Sequence, residues 1–344
     1  MTQATKDVKP NATYFEVRSP DLEWPKYRSP EYWEYRRKWS EYPKRMYVSD
    51  FPLNLDIETT NICNLACPMC SRTIQINDGT YVDIGTMSMD IYKKIIDEGA
   101  ENGLCAVKLN YLGEPLADRY IVDRIKYAKA RGIIEVMFNT NASLLTEEKS
   151  IQLLEAGLDS IFFSVDGILP ETFNKIRIGT DYETVVTNIK NFVRIKNEGN
   201  YKHVQTRVSM VVLPGMEKEA EEYTKFWLPI LGQVGFGEWV DHRGKGTTKD
   251  DHSREIIYDD YNPDFVCAQP FQRMFIMYDG VCTPCCPDVS RGYVVGDIKN
   301  QTIKEIWHGE RYGRLREAQI NGRYRDIDIC RSCYMPFSQK DTKM

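Results

Sequence analysis

Histidine is scarce in this chain of 344 residues: His203, His242, His252 and His308 are the whole supply, and none lies near the first cysteine group. Long apolar runs are missing too. Ser160–Val165 and Val208–Leu213 are among the longest, far too short to cross a bilayer. Nor is there a positive excess: 45 Lys and Arg against 50 Asp and Glu leave a net charge of −5. That removes the electrostatic case for a nucleic-acid partner. The N-terminus is polar and has no apolar stretch of the kind a secretion signal needs. A cytoplasmic, membrane-free protein is expected.

Cysteine, by contrast, is plentiful. Ten are present, three at 63–70, one at 105 and six between 267 and 333. Without a secretion signal, metal or cluster binding in a reducing compartment is the better reading than a disulfide framework. Cys63, Cys67 and Cys70 form C-x3-C-x2-C directly after the strand-like segment Asn54–Thr60. A closed zinc site needs four ligands. Three thiolates on a short loop can instead hold three irons of a [4Fe–4S] cube, leaving one iron open to a small molecule.

The chain divides into an N-terminal extension (1–50), a region of alternating strands and helices (51–243), a polar connection (244–266) and a cysteine-rich tail (267–344). Strands are expected at Asn54–Thr60, Ala106–Leu112, Ile134–Thr140, Ser160–Asp166, Val204–Leu213 and Gly235–Asp241. Helices are expected at Met89–Glu101, Asp118–Arg131, Thr146–Ala156, Tyr182–Asn197 and Lys218–Leu231. Six such units predict an α/β fold, a partial (β/α)6 TIM-like barrel with chemistry at the carboxyl ends of its strands. Ser29-Pro30-Glu31 signals a short helix through Trp39 in the extension. The tail reads as a hairpin, Met274–Tyr278 and Val281–Pro284 around Asp279-Gly280, then one helix over Ile303–Ala318.

With its cysteine loop after the first strand, the chain resembles the radical S-adenosylmethionine (SAM) enzymes. The resemblance implies a three-cysteine [4Fe–4S] cluster whose open iron binds SAM, and a 5′-deoxyadenosyl radical that abstracts a hydrogen atom from substrate. It also implies SAM contacts. Met69 lies in the loop itself. Gly113, Glu114 and Pro115 look like the strand-end segment that receives the SAM ammonium. Asn139 and Asn141 stand where ribose contacts are usual, and Ser164 and Asp166 match Ser-[Val/Ile]-Asp-Gly, with Asp166 equally readable as a helix cap. Val212 is a candidate for packing on the adenine, although plain core is favoured. Arg177 is a candidate for the SAM carboxylate or substrate, with a surface salt bridge as the alternative; Arg207 and Ser209 alternate with apolar residues on the fifth strand, and Arg207 is a candidate for substrate.

The tail is similar to the SPASM/Twitch extension of that superfamily. Six cysteines cannot supply two all-cysteine clusters, so one auxiliary [4Fe–4S] cluster on Cys267, Cys285, Cys330 and Cys333 is expected, with a four-cysteine zinc site as the alternative. Cys282 and Cys286 are spares; either could replace Cys285 or donate a hydrogen atom. Cys105 reads as core. The spacing Cys267-x17-Cys285 with Cys330-x2-Cys333 resembles the 2-deoxy-scyllo-inosamine dehydrogenase-like enzymes. That implies oxidation of an alcohol to a ketone on a sugar or aminocyclitol, with a flavodoxin or ferredoxin as reductant. Epimerisation with a cysteine donor and modification of a peptide are the alternatives.

Overall fold

The computed structural model describes residues 14–81, 83–213, 215–238, 265–331, 333 and 335–336. The polar connection at 244–264 and the first residues of the extension lie outside these. Six parallel strands form the centre: β2 (Asn54–Ile57), β3 (Ala106–Lys108), β4 (Glu135–Thr140), β5 (Ser160–Ser164), β6 (Gln205–Val212) and β7 (Gln233–Glu238), each beside the next. Before β2 come β1 (Tyr14–Arg18) and α1 (Pro30–Lys44). Between the strands lie α2 (Ser71–Asn77), α3 (Met89–Glu101), α4 (Ile121–Ala130), α5 (Glu147–Glu155), α6 (Pro170–Ile176), α7 (Tyr182–Glu198) and α8 (Glu217–Leu231).

Alternation explains the curvature of this sheet into an open barrel. Leu55, Ile57, Val107, Phe138 and Val208 point outward and are buried under the helices. Each such burial is worth about 1.5–3 kcal/mol. Their neighbours in sequence, among them Asp56, Lys108, Asn139, Ser164 and Arg207, take the opposite face and line the lumen.

Two features depart from the expected layout. The tail does not stand apart. Its first strand, β8 (Arg273–Ile276), pairs parallel to β2 from Asn54↔Arg273 to Ile57↔Ile276 and extends the barrel sheet. β9 (Val281–Thr283) and β10 (Gly296–Asp297) follow antiparallel. At the far edge β1 pairs antiparallel with β7, giving ten strands in one sheet. The expected single tail helix is two, α9 (Ile303–Trp307) and α10 (Glu310–Ile320), broken at His308-Gly309. A short α11 (Asp328–Arg331) precedes the last cysteine.

The N-terminal arm closes the amino-terminal end of the barrel. Trp24, Tyr32 and Tyr35 pack with Leu53, Cys105 and Ala106. Trp24 Nε1 donates to Gln233 Oε1 at 2.8 Å, and Arg28 donates to Asp159 O at 2.8 Å and Ser160 Oγ at 2.7 Å. The Trp24 indole and one edge of the Arg28 guanidinium thereby find partners on the strands above, whereas the Tyr35 hydroxyl and Arg28 Nε have none among the described residues. The arm thus covers the end of the barrel opposite the carboxyl ends of its strands.

Candidate active site: a three-cysteine loop and a four-cysteine cavity

The loop carrying Cys63, Cys67 and Cys70 runs from the end of β2 into α2. It is held from several sides. Arg72 Nε donates to Asn61 O at 2.7 Å, and Ala66 N donates to Ile178 O at 2.9 Å. Asn64 sits between two side chains of the β4 end, accepting from Asn141 Nδ2 at 3.1 Å and donating to Ser143 Oγ at 2.8 Å. Gly113 lies directly beneath. A Cβ there would stand 2.2 Å from Thr60 O and 2.8 Å from Ile62 O, so only glycine fits. Burial pushes the Cys63 thiol up to about 11 and the Cys67 thiol up as well, with the Arg177 guanidinium opposing for Cys67. Such thiols shed their protons only against a metal's charge.

Arg177 is placed at this loop by the α6 C-terminus. Its Nη1 lies 3.9 Å from Cys67 Sγ, and its Nη2 pairs with the Asp166 carboxylate. Asp166 is 1% exposed and also accepts from Val211 N at 2.7 Å. It therefore clamps the end of β6 and orients Arg177. It does not cap α6; Glu219 from α8 does, accepting from the Ile168 and Leu169 N–H groups at 2.6 and 3.0 Å.

Other strand-end residues separate into spent and unspent. Glu114 is 2% exposed, and its carboxylate already takes Thr140 Oγ1 (2.7 Å), Asn141 N (2.8 Å) and Leu116 N (3.1 Å). Pro115 begins a short 3-10 turn beside it. The Asn141 amide oxygen is taken by Ser143, its amide nitrogen by Asn64. Both residues brace the segments around the cysteine loop with these groups. Asn139 donates its backbone N–H to Asn110 Oδ1 at 2.8 Å, while its own amide and the Ser164 hydroxyl have no hydrogen bond among the described residues. Ser209 Oγ, opposite Ser164 in register, is buried without a hydrogen bond. Val212 packs on the edge of the main core, and Met69 is half-buried in the turn before Cys70.

In the tail, Cys267, Cys285, Cys330 and Cys333 line one cavity, walled by apolar side chains including Phe265, Leu315, Ile329 and Met335. Gln319 braces it, accepting from Cys267 N at 3.0 Å and donating to Cys330 Sγ at 3.7 Å. Burial pushes Cys267 up to about 11 and raises Cys285 and Cys330 well above the ordinary thiol range. No disulfide joins any of the ten cysteines among the described residues. Cys282 belongs to neither site. It is fully buried in β9, packed in the main core, with its thiol toward Gly280 O at 3.6 Å. Cys286 is different. Its Sγ accepts from Gln269 Nε2 at 3.2 Å and its carbonyl from Tyr111 OH at 2.8 Å.

Among the described residues no three His, Cys, Asp or Glu side chains converge closely enough to share one ion. An iron–sulfur cube does not ask for that, since each thiolate takes its own iron. The donor chemistry fits: three thiols on an exposed loop without a fourth, and four thiols around an apolar cavity.

Comparison with known proteins agrees with this division. Residues 57–226 match the radical SAM superfamily and residues 267–334 an iron–sulfur cluster-binding domain, SPASM. The tungsten-containing aldehyde ferredoxin oxidoreductase cofactor-modifying protein of Pyrococcus furiosus is 29% identical over 314 residues, covering 80% of this chain and 86% of that protein. A GTP 3′,8-cyclase of Alkaliphilus metalliredigens is 30% identical over 169 residues, 48% of this chain and half of that enzyme. Among solved structures, BtrN in complex with AdoMet and 2-DOIA has a TM-score of 0.52 at 16% identity, over 82% of this chain and 92% of BtrN; at that identity it speaks for the fold. Three thiols at the mouth of a partial barrel and a cysteine-rich tail continuous with it are thus accounted for together: the chain belongs to the radical SAM superfamily, whose cofactors are a [4Fe–4S] cluster and SAM, and ends in a SPASM-type domain for auxiliary iron–sulfur chemistry.

Proposed function

We propose that this radical SAM enzyme oxidises an alcohol carbon of a sugar or aminocyclitol to a ketone. One observation carries the reading: Cys267, Cys285, Cys330 and Cys333 together line a single apolar cavity apart from the three-cysteine loop. When bound, SAM and the cluster on Cys63, Cys67 and Cys70 supply a hydrogen-abstracting 5′-deoxyadenosyl radical, and a cluster on the four tail cysteines supplies an electron sink. A carbinol that loses one hydrogen atom, one proton and one electron becomes a carbonyl, so the balance needs that sink. A site closed by four thiols offers no open position to substrate, which suits it to electron transfer.

The chain's own residues do the positioning. Arg177, fixed by Asp166, brings a guanidinium to Cys67 and is aimed to hold the SAM carboxylate. Asn139, Ser164 and Ser209 leave unspent polar groups at the mouth for ribose or substrate hydroxyls. The external reductant is a flavodoxin or ferredoxin. The enzyme, reconstituted without oxygen, should cleave SAM faster in the presence of its substrate, and the product should be lighter by two hydrogens. A product of unchanged mass that carries solvent deuterium would instead support epimerisation. That second reading has its own observation, a Cys286 thiol outside the four-cysteine cavity, held by Gln269 with its carbonyl on Tyr111 of the segment after β3. Cys286→Ala separates the two: it abolishes epimerisation and leaves a dehydrogenase active. No SAM cleavage by the reduced protein would sink both.

A further inference from the structure

Buried guanidinium groups in this protein are tied down almost everywhere. Arg28 is bonded to Asp159 O and Ser160, Arg72 to Asn61 O, Arg124 to Asp118 and Met87 O, and Arg316 to Pro270 O and Trp307 O. The lumen is the exception. Among the described residues Lys108 on β3 and Arg207 on β6 make no side-chain hydrogen bond, and Arg273 on β8 makes only a long one with Asp56. Their nearest anions are distant for ion pairs. Lys108 Nζ is 3.9 Å and Arg273 Nη1 3.5 Å from the one carboxylate of Asp56, and Arg207 Nη1 is 3.7 Å from Glu16. Glu16 already holds Arg18 at 2.8 Å. The Nε atoms of Arg207 and Arg273 are buried without a hydrogen bond.

All three face one space. Lys108 keeps 27% of its side-chain surface open, Arg273 21% and Arg207 17%, although each is enclosed by barrel walls. The opening is therefore to the lumen. Lys108 is electrostatically coupled to both arginines, whose charges, with burial first, lower its pKa against the opposing pull of Asp56. The Arg207 guanidinium carbon lies over Phe162, 4.0 Å from the ring centroid, and that of Arg273 over Trp39 at 5.0 Å. Stacking fixes the guanidinium planes and leaves their edges for a ligand. Removing charge from water costs several kcal/mol per ion unless a partner offsets it. Among the described residues these three cations face two carboxylates, Asp56 and Glu16, and the Nε donors of Arg207 and Arg273 have no partner.

We infer that the lumen binds the substrate through an anionic group, a carboxylate or phosphate seated among Lys108, Arg207 and Arg273. The site lies below the strand ends: Arg207 precedes Ser209 by two residues on β6, and Lys108 precedes Asn110 by two. A ligand held there has its polyol portion rising toward Asn139, Ser164 and Ser209. This narrows the proposed substrate class to acidic members, sugar acids or sugar phosphates. An aminocyclitol would set its ammonium against three cations. The inference rests on the alcohol-oxidation reading only for the polyol part.

The test is equilibrium binding without turnover, by calorimetry on the anaerobically reconstituted full-length enzyme saturated with SAM. The probes are inorganic phosphate, gluconate, glucose 6-phosphate, glucose and glucosamine. Gluconate or glucose 6-phosphate should bind at least about tenfold tighter than glucose or glucosamine, an advantage of about 1.4 kcal/mol. Preference for glucose 6-phosphate and binding of inorganic phosphate assign a phosphate; preference for gluconate assigns a carboxylate. Arg207→Gln and Arg273→Gln should each weaken the preferred anion by a similar factor. Asp56→Asn, which removes the competing carboxylate, should tighten it several-fold, a gain that a damaged fold would not produce. Equal binding of neutral and anionic probes, absence of binding by every probe, or loss of anion binding when SAM is present would overturn the inference. Because no product is read, these outcomes are independent of whether the reaction proves to be oxidation.

Discussion

Glu58, at the end of β2, shows how a single residue can hold a measurable consequence. It is 2% exposed, and burial pushes its carboxyl up to about 7, against two long backbone hydrogen bonds from Leu112 N (3.3 Å) and Tyr278 N (3.4 Å). The folded chain then keeps a proton that the unfolded chain loses near 4.5. Stability from this group is full below 4.5 and falls as pH rises through about 7. Glu58→Gln should be more stable than the parent at pH 8, by on the order of 3 kcal/mol, and no more stable at pH 4. Denaturant melts at the two values would show it, and equal differences at both would refute the assignment. Other residues explain why roles were only partly legible in the sequence. Glu114, Asn141 and Asp166 are polar at strand ends, which suggests ligands, yet each is spent on a neighbour distant in sequence. Lys108 and Arg273 drew no notice because their shared direction follows from register with Asp56, and register is not written locally.

At the scale of elements, helices with clear apolar periodicity were readable. α3 occupies the expected Met89–Glu101, and α7 and α8 start within one residue of expectation. α2 and α6 were not foreseen; each is seven residues long, too short for periodicity to show. β1 was missed for another reason: five residues become a strand because β7 offers an unpaired edge. The packing of elements yields a sharp prediction at Gly113. Its Cβ would collide with backbone atoms of the segment leading to Cys63, which cannot rotate away. Gly113→Ala should displace that loop at a cost of a few kcal/mol. Iron should drop from about eight per chain to about four, with the tail cluster retained in the spectrum. Full iron content in that variant would show that the loop tolerates the shift.

The whole molecule joins its two cysteine sites through one sheet. β2 carries the Cys63 loop on its end and is flanked by β3 and by β8, the strand that opens the tail. A chain stopped after residue 266 should therefore be insoluble or poorly folded, since β2 would present a bare hydrogen-bonding edge. Size-exclusion profiles and melting cooperativity would report this; a monomeric, cooperatively melting fragment would contradict it. None of the described helices is long and apolar enough to cross a membrane.

The β2–β8 pairing also sets an order of events in time. Asn54 meets Arg273, more than two hundred residues further along the chain. While the protein is being synthesised, the strand that leads into the Cys63 loop waits for its second neighbour until most of the polypeptide has left the ribosome. Iron delivered earlier would meet thiols on a half-supported loop. A first cysteine site that needs β8 beside β2 would be complete only once the tail has begun to emerge, so the two sites would meet iron in close succession.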